Sequence, residues 1–409
     1  MLRKITTAVL SLMMATAAAT LPVFAEGETA YPGVAGGTVN INKYLVMDTN
    51  ANVPNVTFSF TIAPGTAIAS DASSTKAQVK AGPAGATIGT AVFTMGQTTY
   101  DTAQTLDAGG TQHAGGATET DPVDGLDSGE KYAKSMAAVN LTGVTFPEPG
   151  IYRYVITETA STAEGITNDT NTTRILDVYV EHDDAETGKL AVKGYVLHAG
   201  TDTNVNPAGT SGVADKAKGF TNTYTSHDLT ISKAVAGNAA SRDEYFKFTV
   251  TIENAVAGTK YDVDLTNADA ATKTNTINTE SHTNPANVTV PAGATSVTQD
   301  FWLQGGQSIV IKGLANNTKY TIAEDDSLLD NEGYTTAVVQ TGDNDGTFTA
   351  DTRTLVNNAI TADTTDAFTN TKSETIPTGL VDKVAPYIAV IVIAGGFFVL
   401  TRKKKGIQE

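Results

Sequence analysis

Apolar residues in this chain recur at every second position in short runs, separated by stretches rich in Gly, Thr, Asn and Asp. Over residues 38–46, Val39, Ile41, Lys43 and Leu45 fall on one face of an extended strand, and Thr38, Asn40, Asn42 and Tyr44 on the other. Residues 56–62 alternate likewise, with Phe58, Phe60 and Ile62 inward, and further strands are predicted over 139–146, 152–158, 174–181, 190–197 and 220–224. The pattern then starts again. Leu229, Ile231, Lys233 and Val235 share a face; Phe246, Phe248, Val250 and Ile252 echo Phe58 and Phe60; Phe368-Thr369-Asn370 repeats Phe220-Thr221-Asn222. No helical apolar period of useful length occurs between residues 26 and 371. The reading is all-β, with two tandem domains at 37–225 and 226–372. Residues 63–90 and 101–129 are small, polar and Gly-rich, and the second stretch reads as a long surface insertion.

The two ends carry a different pattern. Residues 1–25 have the parts of a secretory signal peptide: Arg3 and Lys4, an apolar core over 8–21, and a small-residue cleavage site at Val23-Phe24-Ala25. Residues 374–409 hold Ile376-Pro377-Thr378-Gly379, an apolar run over 384–400, and Arg402, Lys403, Lys404 and Lys405. That run is shorter than the roughly 20 residues of a comfortable transmembrane helix, yet it suffices to hold a secreted chain at a membrane with the basic cluster inside. Removing both ends takes Lys plus Arg from 27 to 20 and Asp plus Glu from 44 to 42, a net charge of about −22. Such a chain repels nucleic acid and anionic lipid. It has no cysteine, so an exported protein of this kind relies on its cores or on a covalent staple other than a disulfide.

Three residue types stand out against the apolar stripes. Lys43 and Lys233 lie on the first strand of each repeat, Glu158 and Glu324 on a late strand, and Asn222 and Asn370 on the last. A single buried charge costs several kcal/mol, and alone each would read as a strand-end residue reaching out to solvent. The same three types in the same order in both repeats point instead to a shared chemistry. Burial favours the neutral forms of amine and carboxyl. A neutral Lys amine is a nucleophile, and a protonated carboxyl can hydrogen-bond a carboxamide oxygen and polarise its carbon. Attack, with the carboxyl moving protons, expels ammonia and leaves a Lys–Asn isopeptide bond, driven by the effective molarity of held groups.

Ile376-Pro377-Thr378-Gly379, with the apolar run and basic tail behind it, resembles the sorting signal of Gram-positive surface proteins, which a sortase cuts between Thr and Gly, here Thr378 and Gly379. With Asn40-Ile41-Asn42-Lys43, Tyr154-Val155-Ile156-Thr157-Glu158 and the two Phe-Thr-Asn endings, the chain resembles the sortase-assembled backbone pilins of Gram-positive bacteria, in the streptococcal type. The resemblance implies two tandem immunoglobulin-like β-sandwiches, with isopeptide bonds Lys43–Asn222 served by Glu158 and Lys233–Asn370 served by Glu324. Asp325 and Asp326 follow Glu324, which leaves the second carboxylate open by one position. It further implies a secreted, wall-anchored shaft subunit. The implied partners are identical subunits head to tail, a pilin-type sortase, minor pilins and peptidoglycan. The lysine accepting Thr378 of the next subunit would lie just ahead of Asn222. Lys216 is nearest that position, with Lys218 the alternative and Lys193 behind them. Strict alternation turns Lys216 and Lys218 to the face of Phe220 and Asn222, so a bulge is expected near Gly219.

The competing readings are an anchored adhesin or minor (tip or base) pilin that binds host or matrix ligands, and an anchored enzyme. The enzyme has little support. The five histidines are scattered, with no His-x-x-x-His and no Gly-x-Ser-x-Gly. The loop at Asp343, Asn344, Asp345 and Gly346 does not fit an EF-hand and reads as a solvated turn. No metal or cofactor is expected. Trp302 is expected in core or inter-sheet packing.

Overall fold

The computed structural model describes residues 34–35, 37–69, 78–101, 126–127, 129–185, 188–199, 217–267, 282–325, 333–343 and 345–374. Among these there is no helix, and none therefore long and apolar enough to cross a membrane. The signal peptide, the sorting signal and the apolar run 384–400 lie outside the described residues.

The chain forms two β-sandwiches in tandem. In the first, one sheet runs in the order Val34–Ala35, Leu190–His198, Thr173–His182, Gly150–Glu158, Phe60–Pro64, with Val79–Ala81 also pairing onto Gly150–Glu158. The facing sheet runs Ile166–Thr167, Gly219–Tyr224, Thr38–Asp48, Glu130–Asn140, Thr87–Ile88, with Thr99–Asp101 also on Glu130–Asn140. Val39, Ile41, Leu45 and Phe220 from one sheet meet Tyr152, Tyr154, Ile156 and Leu176 from the other in a fully buried layer. The second sandwich has a six-stranded sheet in the order Asn287–Thr289, Lys260–Asn267, Gln307–Ala315, Ser226–Ala236, Thr364–Thr371, Thr335–Thr341. Its five-stranded partner runs Ser296–Leu303, Phe246–Glu253, Lys319–Glu324, Thr354–Asn357, Thr347–Thr349. Tyr224 ends the last strand of the first sandwich, and Ser226 opens the first strand of the second.

The predicted inward face over Phe246–Ile252 holds, with Phe246, Phe248, Val250 and Ile252 all buried, as is Glu324 on its late strand. Three expectations do not. The strand expected over 139–146 is Glu130–Asn140, paired along its whole length with Thr38–Asp48, from Thr38 opposite Asn140 to Asp48 opposite Glu130. Its inward residues include Ala133 and Ala137, too small to announce an apolar face, while Leu141, Val144 and Phe146 are buried from a turn. Tyr44 lies on the opposite face, as read from the alternation, where with Val46 and Tyr132 it forms a second small cluster against which Tyr100 and Leu126 pack. Trp302 points away from the core. It sits between inward Phe301 and Leu303 and stacks on His282 at 3.9 Å between ring centres. Asp343 is not solvated but buried, where its Oδ2 accepts the Thr361 N–H at 2.8 Å and the Thr361 hydroxyl at 3.2 Å.

Candidate functional site

In each sandwich the first and last strands are parallel neighbours, held in the same register. Lys43 lies opposite Phe220 and Leu45 opposite Asn222; Lys233 lies opposite Phe368 and Val235 opposite Asn370. The lysine and the asparagine thus stand one inward step apart on adjacent strands. The glutamate comes across the core from the other sheet. Glu158 pairs with Phe60 and Glu324 with Phe248, again at matching positions. All six side chains are at most 4 % exposed.

The contacts are nearly the same in the two domains. Lys43 Nζ lies 2.8 and 2.9 Å from the two oxygens of Glu158, and Asn222 Nδ2 donates to Glu158 Oε1 at 2.8 Å. Lys233 Nζ is 2.5 Å from Glu324 Oε1, which also accepts Asn370 Nδ2 at 2.8 Å. Aromatic rings close the pockets. Lys43 Nζ sits 4.6 Å from the centre of Phe58, and Lys233 Nζ 4.3 Å from that of Phe246. Burial pulls both amines down to about 8 from an ordinary value of 10.5, against the opposing pull of Glu158 and Glu324. Asp169 further raises and Arg174 further lowers the Lys43 value, and Arg353 lowers that of Lys233.

The carboxamides are oriented differently from expectation. The glutamate faces the amide nitrogen, not the oxygen. Asn222 Oδ1 accepts the backbone N–H of Asp169 at 2.8 Å, and Asn370 Oδ1 accepts the hydroxyl of Thr336 at 2.8 Å. A backbone N–H only donates, so the Asp169 contact fixes which atom of Asn222 is oxygen. Asp169 is held in turn by Arg174, whose Nη2 donates to Asp169 Oδ2 at 2.7 Å and whose Nε donates to Gly219 O at 3.0 Å. Each site therefore offers an amine near neutrality, a carboxylate touching both amine and amide nitrogen, and a separate donor on the carbonyl oxygen. That is the set of groups an amide exchange releasing ammonia requires.

The structure brings together Lys43, Glu158 and Asn222, and Lys233, Glu324 and Asn370. Asp325 is exposed, whereas Glu324 is buried against Lys233 and Asn370; Asp326 lies outside the described residues. Lys216 and Ile376, Pro377, Thr378 and Gly379 lie outside the described residues. Lys218 is partly buried just ahead of the last strand, its carbonyl accepting Asn42 Nδ2 at 3.3 Å. Gly219 follows it, so close to the neighbouring strand that a Cβ there would stand 2.2 Å from Asn42 O. Gly219 opens the last strand and pairs with Asn42 in unbroken register, so among the described residues the bulge expected near Gly219 is not found; Lys218 lies just outside the strand instead. Lys193 pairs on the surface with Asp184 at 2.9 Å. Arg174 and Thr336 were not singled out from sequence. Arg174 has a signal, since it is in phase with Leu176, Val178 and Val180, all inward. Among the described residues no group of three or more His, Asp or Glu is placed to hold a metal ion.

Comparison with known proteins agrees with this geometry. Residues 39–225 match the Spy0128-like isopeptide containing domain, and residues 227–372 match a domain family of unknown function, DUF7601. A curated pilin of Streptococcus pyogenes serotype M1 is 28% identical over 387 residues, covering 93% of each chain. Among solved structures, the major pilin from Streptococcus pyogenes aligns with 83% of this chain and 100% of its own, at 22% identity and a TM-score of 0.48. The pilus-presented adhesin Cpa aligns with 50% of this chain and 38% of its own, at 18% identity and a TM-score of 0.27. Over residues 39–225 the chain is similar to the Spy0128-like isopeptide containing domain, and along 93% of its length it is similar to a streptococcal pilin.

Proposed function

We propose that the protein is the shaft subunit of a covalent surface pilus. A sortase joins Thr378 of one subunit to a lysine of the next, Lys216 or alternatively Lys218, and each domain is locked by an isopeptide bond, Lys43–Asn222 and Lys233–Asn370. Glu158 and Glu324 act as proton shuttles in a single self-catalysed turnover, so the chain is not an enzyme. The observation that carries the reading is the recurrence of one buried Lys–Glu–Asn trio, in one register, between the first and last strands of both domains. A bond there runs from the beginning to the end of each domain, so tension along the pilus passes through covalent bonds and not through the sheet ladders.

Strand direction supports head-to-tail polymerisation. Gly219–Tyr224 runs toward the domain junction, and the chain enters this strand opposite Asn42, partway along Thr38–Asp48. Ser226–Ala236 leaves the junction, and Thr364–Thr371 runs parallel to it, so the chain leaves at the far end of the second domain. There the Asn238 side chain grips the backbone of Glu374 twice, Oδ1 accepting its N–H and Nδ2 donating to its carbonyl, each at 2.9 Å. Lys216 is three positions before Gly219 and Thr378 four after Glu374. In the chain the proposed acceptor thus precedes the strand that enters the junction, and the proposed donor follows the strand that leaves the second domain.

Intact mass of the folded chain is the first test. Two ammonia molecules should be missing, and Glu158→Ala should restore one of them; a mass equal to the full sequence sinks the cross-links. Blots of wall extracts test the polymer. A ladder of covalent multimers that Lys216→Arg abolishes supports the shaft, whereas a single band in the wild type favours a singly anchored adhesin or minor pilin. Loss of the ladder only in Lys218→Arg moves the acceptor by two residues.

A further inference from the structure

The two trios differ in one respect, the group that holds the carboxamide oxygen, and the topology explains why. In the first domain the strand beside the last one is only Ile166–Thr167, paired with Thr223 and Tyr224. The chain leaves the sheet before it draws level with Asn222, and the backbone N–H of Asp169, free of any ladder, turns in to Asn222 Oδ1. In the second domain the corresponding strand is Thr335–Thr341, paired with the last strand from Thr335 opposite Thr371 to Thr341 opposite Thr365. Its backbone donors serve the ladder. Thr336 is directly opposite Asn370, and side chains of directly opposed residues share a face. Its hydroxyl accordingly reaches Asn370 Oδ1 at 2.8 Å and lies 3.2 Å from Glu324 Oε2.

We propose that Thr336 is a catalytic residue of the Lys233–Asn370 cross-link, a role that rests on the cross-link reading above. Neutral Lys233 Nζ attacks Asn370 Cγ, and the carbonyl electrons move onto Oδ1. The Thr336 hydroxyl already donates to that atom and stabilises the oxyanion. Glu324 takes the surplus proton from Nζ and delivers it to Nδ2, which it also touches. The Cγ–Nδ2 bond then breaks, ammonia leaves, and the Nζ–Cγ amide remains. The first domain obtains the same stabilisation from the Asp169 N–H, which no substitution other than proline deletes. Thr336 is therefore the replaceable half of an otherwise matched pair.

The test compares Thr336→Val, which keeps the shape and removes the hydroxyl, with Thr336→Ser, which keeps the hydroxyl. Full-length chain recovered unfolded from inclusion bodies is refolded by dilution. Ammonia loss is followed by intact mass, each cross-link is assigned by peptide mapping, and Trp302 fluorescence reports folding of the second domain. Removing one oxyanion donor slows acyl chemistry by about a hundredfold or more. Thr336→Val should slow the Lys233–Asn370 bond by that factor, leave the Lys43–Asn222 bond at the wild-type rate, and fold normally. Thr336→Ser should stay within a few-fold of wild type. Wild-type speed in Thr336→Val overturns the proposal, as does equal slowing in Thr336→Ser, which would make the role one of packing. A wild type that forms the first bond and never the second overturns the proposal together with the second-domain cross-link, while a wild type with both bonds and an unaffected Thr336→Val overturns the proposal alone.

Discussion

Asn222→Ala removes the proposed first cross-link and nothing else covalent, so its expected cost can be worked from the topology. Lys43 and Asn222 enclose about 180 residues, and the chain-entropy relation for a closed loop of that size gives about 5 kcal/mol of stabilisation at 25 °C. The second loop, Lys233 to Asn370, encloses about 140 residues and gives nearly the same figure, because the dependence is logarithmic. A domain's whole stability is about 5–15 kcal/mol. One kcal/mol moves the melting temperature of a domain this size by about 2–4 °C. Asn222→Ala should therefore lower the first domain's transition by about 10–20 °C and leave the second in place. Asn370→Ala should do the reverse. Scanning calorimetry on wild type and both variants, each with its intact mass recorded, measures this. The alternative is that Asn222 contributes only its two hydrogen bonds, at about 1 kcal/mol each. A drop of no more than about 8 °C, or a drop shared equally by both transitions, refutes the reasoning.

Two further predictions concern charge. The lysines are bases held down at about 8 by burial. The attacking neutral amine is thus scarce at pH 6 and abundant above 8, and cross-linking on refolding should quicken about tenfold per pH unit from 6 to 8 and then level. A rate still climbing through pH 10, as an unburied amine would give, contradicts this. On the outer side of the same domain Arg153, Asp177 and His198 are all fully buried. Arg153 forks onto Asp177 at 2.8 and 2.7 Å, with His198 Nε2 at 3.2 Å. Burial pushes the Asp177 carboxyl up, but Arg153 and His198 outweigh it and hold it below its ordinary value. That stability is present above the ordinary carboxylate range and lost as pH falls through the depressed value. Asp177→Asn should strand a buried guanidinium, cost about 3–5 kcal/mol in denaturant titrations, and flatten their acid limb; unchanged stability at pH 7 would contradict it.

What the sequence discloses here, and what it hides, follows from where each group's chemistry resides. Lys43 was legible because a charge in phase with Val39, Ile41 and Leu45 has no cheap explanation. Glu158, Asn222 and their counterparts in the second repeat were legible for the same reason, and all six are buried. The strand Glu130–Asn140 was not, because Ala133, Ser135 and Ala137 hold its inner positions while Met136, a large apolar residue, lies on the exposed face. Trp302 was misplaced by its size, although parity between Phe301 and Leu303 would have turned it outward. The donors on the carboxamide oxygens were hidden for two distinct reasons. At Asp169 the donor is a backbone N–H, which every residue but proline possesses, so no residue type could mark it. At Thr336 the donor sits in a run of Thr, Ala, Val and Gln whose alternation is half-exposed at best and gives no inward stripe to violate. Only the pairing of that strand with Thr364–Thr371 gives the hydroxyl its meaning. A trio repeated on apolar faces is therefore readable residue by residue, while the group that completes each site depends on how long the neighbouring strand is, which is a property of the sheet.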